Sequence, residues 1–146
     1  KLRKDFALAK NDRLKKYEIK AGGFDVDIYV PHWSRLGLPL EFVLDKPFSI
    51  EGFLVPEIEA LATLKLFVYR ERKASLKGQK DLIDLISLFY FNEISIVKLR
   101  EILEKFKLEP LLDEFVSVLK NIHQMSELGL NRKKFSDFKK SILNQL

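Results

Sequence analysis

The sequence predicts an α+β fold, a small antiparallel or mixed sheet followed by a C-terminal helical bundle. Three observations carry this. Short runs rich in β-branched and aromatic residues, punctuated by glycines, crowd into residues 17–55. After Pro56 the apolar residues recur every three or four positions, over segments too long for strands. The length, 146 residues with 47% hydrophobic and 32% charged, suits one domain or a small α+β unit with a helical extension. We expect the division at residues 1–55 and 56–146.

Composition narrows the chemistry. There is no cysteine, so disulfides and thiolate metal sites are excluded, which fits a reducing compartment. No apolar run approaches the roughly 18 residues of a membrane span, and no secretory signal pattern is visible. A cytoplasmic location away from membranes is therefore expected. The charge is uneven. Residues 1–20 carry eight Lys or Arg against three acids, a net of +5, and residues 131–146 carry five against one, a net of +4. The middle is therefore −4 within a total of +5. Basic ends suit nucleic acid or nucleotide phosphates, and basic helices also simply keep a protein soluble, the reading the composition favours. No aromatic residues alternate with the basic ones in an RNA-binding pattern.

Taken in order, Leu2, Phe6, Ala9 and Arg13 recur at helical spacing and predict an amphipathic helix over 1–13, ending at Asn11-Asp12. Residues 17–30 predict a β-hairpin: Tyr17 to Lys20, a turn at Ala21-Gly22-Gly23, then Phe24 to Val30. The period of two puts Phe24, Val26, Ile28 and Val30 on one face, and Asp25, Asp27 and Tyr29 on the other. Acids are depleted in strands. Two on one face mark either a solvated sheet face or a metal or phosphoryl-transfer site on a rigid strand.

Pro31 breaks the chain. Residues 31–39, a proline-bracketed loop, hold His32 and the single Trp33. His32 has no second histidine near it in sequence and reads as a loop residue. The pattern assigns 40–44 to neither helix nor strand. Lys46–Ile50 and Phe53–Val55 predict two short strands joined at Glu51-Gly52. Pro56-Glu57 opens a helix over 57–72 that is apolar around much of its circumference. A loop over 74–79 precedes a helix over 80–90. Ser95 caps a third helix to about Phe106, Pro110 begins a fourth, Gly129 marks a break, and Asn131 caps a basic last helix.

A second constellation lies on these helices. Lys65 sits within an apolar run, and Arg72, seven residues on, shares its face. A buried ammonium needs a partner. Asp81 and Asp84, three apart at the expected start of the next helix, share a face as well, where the helix dipole alone favours acids. Either the aspartates pair with Lys65 and Arg72 as a bridge between antiparallel helices, or they hold those cations toward a triphosphate.

Val26-Asp27-Ile28, then Gly52-Phe53-Leu54-Val55-Pro56, Leu64-Lys65-Leu66 and Arg72, and Lys77-Gly78-Gln79-Lys80-Asp81-Leu82-Ile83-Asp84-Leu85 together resemble the nucleotidyltransferase superfamily. The likeness is to its minimal archaeal and bacterial branch, which includes the AbiEii-type toxins, and spans about residues 13–90. It implies a nucleotidyltransferase-like sheet unit, incomplete here, over 1–55. It also implies magnesium-dependent transfer of a nucleoside monophosphate from a nucleoside triphosphate to a hydroxyl of RNA or protein, with a cognate antitoxin as partner. Family members hold Mg²⁺ with three acids, two from an Asp-x-Asp strand after a glycine turn and helix, the third from a later strand. Gly22-Gly23 cannot be that glycine turn, because Phe24 alone separates it from Asp25. Asp27 matches the third, catalytic carboxylate, with Asp25 in reserve as a metal ligand. Lys65, Arg72 and Lys80 would face nucleotide phosphates, with Asp81 and Asp84 in support.

The glycine motif and the first acid pair are absent from this chain. Either they lie upstream of Lys1, as the lack of an initial methionine suggests, or the chain is catalytically degenerate. In the second case it serves as a partner- or RNA-binding module, with Lys133, Lys134, Lys139 and Lys140 as its contact surface. A purely structural helical adaptor is a third expectation.

Overall fold

A computed structural model describes residues 7–12, 15–21 and 23–146. The chain divides into two compact units, 1–55 and 56–146. The architecture is α+β.

The first unit holds a three-stranded antiparallel sheet in the order β1 (Leu8–Asn11), β2 (Lys16–Ala21), β3 (Phe24–Ile28). Leu8 opposes Ile19, and Ile19 in turn opposes Val26. Ile19 is buried, as are Leu38 and Val43 further along. The expected helix over 1–13 is corrected here, for Leu8–Asn11 is a strand. Its helical spacing lost to pairing with β2, reinforced by an Asn11 amide that donates to Glu18 at 3.0 Å. Leu2, Phe6 and Arg13 lie outside the described residues.

β3 does not bury its apolar side as alternation suggested. Phe24 is 64% exposed and Val26 is exposed as well, because β3 is the edge strand of a small sheet. The stretch at 40–44 forms one short helix, α1 (Leu40–Val43). β4 (Phe48–Ile50) and β5 (Phe53–Val55) make a two-stranded sheet. Glu51 and Gly52 join them with φ of 50° and 84°, the positive pair that a tight hairpin turn requires.

The second unit is helical: α2 (Ile58–Arg72), α3 (Leu76–Phe91), α4 (Ile96–Lys105), α5 (Pro110–Asn121), a 3₁₀ turn (Ser126–Leu128) and α6 (Arg132–Leu143). Leu66, Leu85, Leu99, Leu103, Leu119 and Phe135 form its core, with Phe89 stacked on Phe115 at 5.1 Å. Ser95 and Asn131 cap α4 and α6 by accepting from Lys98 and Lys134 amides, as their sequence positions predict.

α3 begins at Leu76, four residues earlier than expected. The reason is Ser75, whose hydroxyl accepts from the Gly78 amide at 3.1 Å and donates to the Arg72 carbonyl at 2.7 Å. One hydroxyl therefore ends α2 and starts α3. Gly78 is obligatory at this corner, since a Cβ there would lie 2.1 Å from the Arg72 carbonyl oxygen. Asp81 and Asp84 consequently fall beyond the first turn of α3, and the helix dipole does not account for them.

Glu59 ties α2 to α4. Its carboxylate, buried, accepts from the Ser95 amide at 3.1 Å, and Lys98 stands 3.6 Å from it and 2.9 Å from Glu57. The hydrogen bond to Glu57 raises the pKa of Lys98 above its ordinary 10.5, against a smaller opposing effect of burial, with the Glu59 charge helping.

Gly78→Ala should cost about 2 kcal/mol or more in urea unfolding, since the clash is with backbone and cannot be relieved by a side-chain swing. Lys98 holds its proton more tightly folded than unfolded. Its contribution is thus complete below pH 10.5 and fades as pH rises through the higher folded value. Lys98→Met should be less stable than the parent at neutral pH, and thermal melts should show that gap narrowing above pH 10.5.

Candidate functional site

The residues singled out by sequence fall into two groups, one in each unit. Asp27 stands on β3 opposite Glu18 of β2, and Asp25 stands opposite Lys20. Lys16 closes the face. Its ammonium is 2.7 Å from Asp27 Oδ2 and 3.0 Å from Glu18 Oε1, and its side chain is only 13% exposed. The Tyr29 hydroxyl donates weakly to the same Asp27 oxygen at 3.4 Å. Burial pulls the Lys16 pKa down, but hydrogen bonds to Asp27 and Glu18 and the charges of both outweigh it and leave it raised. Lys16 is therefore a firmly held cation. Sequence reasoning passed over Lys16 and Glu18, although the hairpin register that pairs 18 with 27 would have found them.

Among the described residues this geometry does not fit Mg²⁺. Asp27 Oδ2 already carries the Lys16 ammonium. Among the described residues no three His, Cys, Asp or Glu side chains gather to hold a metal ion. A divalent ion usually takes several oxygen ligands.

The second group spans α2 and α3. Lys65 donates to Asp84 at 2.7 Å. The guanidinium of Arg72 meets Asp81 with two nitrogens: Nη2 donates to Oδ1 at 3.0 Å, and Nε stands 2.7 Å from Oδ2 as an ion-pair contact off the hydrogen-bond line. The pairing follows from the corner at Ser75 and Gly78, which folds α3 back along α2. Lys65 is partly exposed rather than buried in its apolar run.

Burial differs between the two pairs. The Asp81 side chain is 9% exposed, whereas that of Arg72 is 42% exposed. A buried carboxylate thus holds a partly exposed guanidinium through one hydrogen bond and one ion-pair contact. Lys80, one position before Asp81 in α3, is exposed. His32 in the first unit is exposed and faces Glu41 at 3.2 Å.

Comparison with protein-family models, with curated proteins and with solved structures finds no match to this chain. Among the described residues no helix is long and apolar enough to cross a membrane.

Unequal burial predicts unequal energies. Arg72→Ala strands the Asp81 carboxylate in the interior and should cost about 1–3 kcal/mol. Lys65→Ala breaks a solvent-exposed pair and should cost under about 1 kcal/mol. Chemical denaturation of the two variants beside the parent measures the difference.

Proposed function

We propose that this chain belongs to a nucleotidyltransferase-fold protein that binds a nucleoside triphosphate and passes its nucleoside monophosphate to a hydroxyl of RNA or protein. The observation that supports this most is Arg72, held by the buried carboxylate of Asp81 while its own side chain is 42% exposed. A guanidinium with one edge fixed presents its remaining donors in a set direction, which suits a phosphate oxygen. Lys65, steadied by Asp84, and the exposed Lys80 add positive charge along the same two helices. In this reading Asp81 and Asp84 are positioning residues, and Arg72 is the principal phosphate contact.

The reaction of this superfamily uses magnesium, which brings the triphosphate and the attacking hydroxyl together and offsets their charge. No step through the metal is assigned to this chain, because Asp27 is engaged by Lys16. That engagement favours a second reading, a catalytically degenerate module that binds RNA or a partner protein without transfer. A cognate antitoxin is the protein partner that either reading implies.

Calorimetric titration with the common ribonucleoside triphosphates, with and without Mg²⁺, tests the premise of the enzyme reading. Binding should weaken about tenfold in Arg72→Ala, the loss of one charged phosphate contact. Failure of every triphosphate to bind sinks the enzyme reading and leaves the partner- or RNA-binding module. Label transfer from an α-labelled triphosphate to RNA or protein then separates them: transfer abolished by Asp27→Asn supports the enzyme, and binding without transfer supports the degenerate module.

A further inference from the structure

The first unit carries a feature that the site above does not use. Trp33, the single tryptophan, borders a cavity of about 450 Å³ whose wall also includes Lys15, His32, Arg35 and Glu41. That volume falls within the range of about 300–1,000 Å³ typical of small-molecule sites. Tyr17 of β2 lies against the indole, with ring centroids 5.1 Å apart at a tilt of 35°. Two ammonium groups stand over the indole as well, Lys10 at 5.5 Å and Lys15 at 5.8 Å. The linear sequence conceals this grouping, since strand pairing of β1 with β2 is what brings Lys10 and Tyr17 together as direct cross-strand partners.

The loop that carries Trp33 is fixed in place. The Trp33 and Ser34 amides both donate to the Val30 carbonyl, at 3.3 and 2.9 Å. The Ser34 hydroxyl accepts from the Val30 amide at 2.8 Å and donates to the Lys15 carbonyl at 2.6 Å. One serine thereby ties the tryptophan loop to the start of β2. The indole is held ready, with little ordering left for a ligand to impose.

We propose that Trp33 and the cations around it bind a nucleoside phosphate, either a free nucleotide or one unit of a single-stranded RNA. The planar base stacks on the indole, and Lys15 and Arg35, which line the cavity, take the phosphate, with Lys10, paired with Asp12 at 2.7 Å, beside them. An ammonium over a half-buried ring is held less strongly than one hydrogen-bonded to a phosphate, so Lys15 turns from ring to ligand at small cost. Aromatic platforms flanked by cations are the general means of binding unpaired nucleotides. Glu41, the carboxylate on the wall, is set toward His32 at 3.2 Å. An acidic peptide would satisfy the cations but leave the indole without a stacking partner. The inference stands apart from the nucleotidyltransferase reading and survives its failure.

Because Trp33 is the chain's single tryptophan, its emission reports on this site alone. The intact chain is titrated with AMP, with a short oligoadenylate and with inorganic phosphate at near-physiological salt. AMP or the oligonucleotide should quench Trp33, while phosphate at the same concentration should not. Tighter binding of the oligonucleotide than of AMP identifies an RNA strand as the ligand, and equal binding identifies a free nucleotide.

In anisotropy with labelled ligand, Trp33→Leu should weaken binding about fivefold or more, as loss of one stacked base does. Arg35→Glu, at an exposed position, should weaken it similarly while leaving the melting temperature unchanged. The proposal is overturned if neither nucleotide ligand quenches Trp33, or if phosphate quenches as strongly as AMP. It is also overturned if both variants bind normally while charge reversal at Lys133 and Lys134 abolishes binding.

Discussion

The contact on which the proposed site depends is the close approach of α3 to the end of α2. It is made possible by the missing side chain at Gly78 and fixed by the Ser75 hydroxyl, which serves both helices. Once α3 is set against α2, Asp81 has a single low-energy option. It is buried, and a buried carboxylate without a cation is far more costly than one with a cation beside it. Arg72 meets that need at the last position of α2. Lys65 and Asp84, farther along the same pair of helices, repeat the pattern where water competes, so their pairing holds less energy and leaves both groups more mobile. Packing thus decides which cation is rigid and which is adaptable.

The sheet unit follows a different logic. Its core is small, with Ile19, Leu38 and Val43 as its buried apolar residues among those described. Cross-strand contacts carry more of the specification there. In the Lys16, Glu18 and Asp27 cluster one ammonium is shared by two carboxylates on one face of the hairpin, and the Lys10, Tyr17 and Trp33 cluster gathers on the strands and loop beside it. A paired Asp27 is consistent with an acid tolerated in an edge strand, where inward pairing with a lysine offsets its poor strand propensity.

Much of the helical unit was legible because its signals are local. Ser95 and Asn131 announced helix starts by their side chains, and Pro110 did so by its fixed φ. The strand pair around Glu51-Gly52 was legible for the same reason. The change from strand to helix patterning at Pro56 coincides with the division of the chain. What sequence missed depends on distant partners. Leu8–Asn11 has helical spacing but pairs with residues eleven to five positions away. The start of α3 was placed at Lys80 because Ser75 was read as loop, its cap being visible only once Gly78 was seen to touch Arg72. In the candidate site, the pairing of Lys65 and Arg72 with the two aspartates was legible from helical spacing, whereas the Lys16 contact to Asp27 required the hairpin register. Glu59, a buried acid that caps another helix, gave no signal in the chain beyond being an acid in an apolar segment.

The central claim is that Arg72, held by Asp81, is the group that meets a nucleotide phosphate. The most direct measurement is the NMR signal of the Arg72 Nε–H as a nucleoside triphosphate is added. The account predicts an Arg72 Nε–H signal that shifts progressively with the triphosphate, since Nε stands 2.7 Å from Asp81 Oδ2 beside the Nη2 that donates to Oδ1. A triphosphate that perturbs backbone amides elsewhere while leaving the Arg72 signal in place would contradict it.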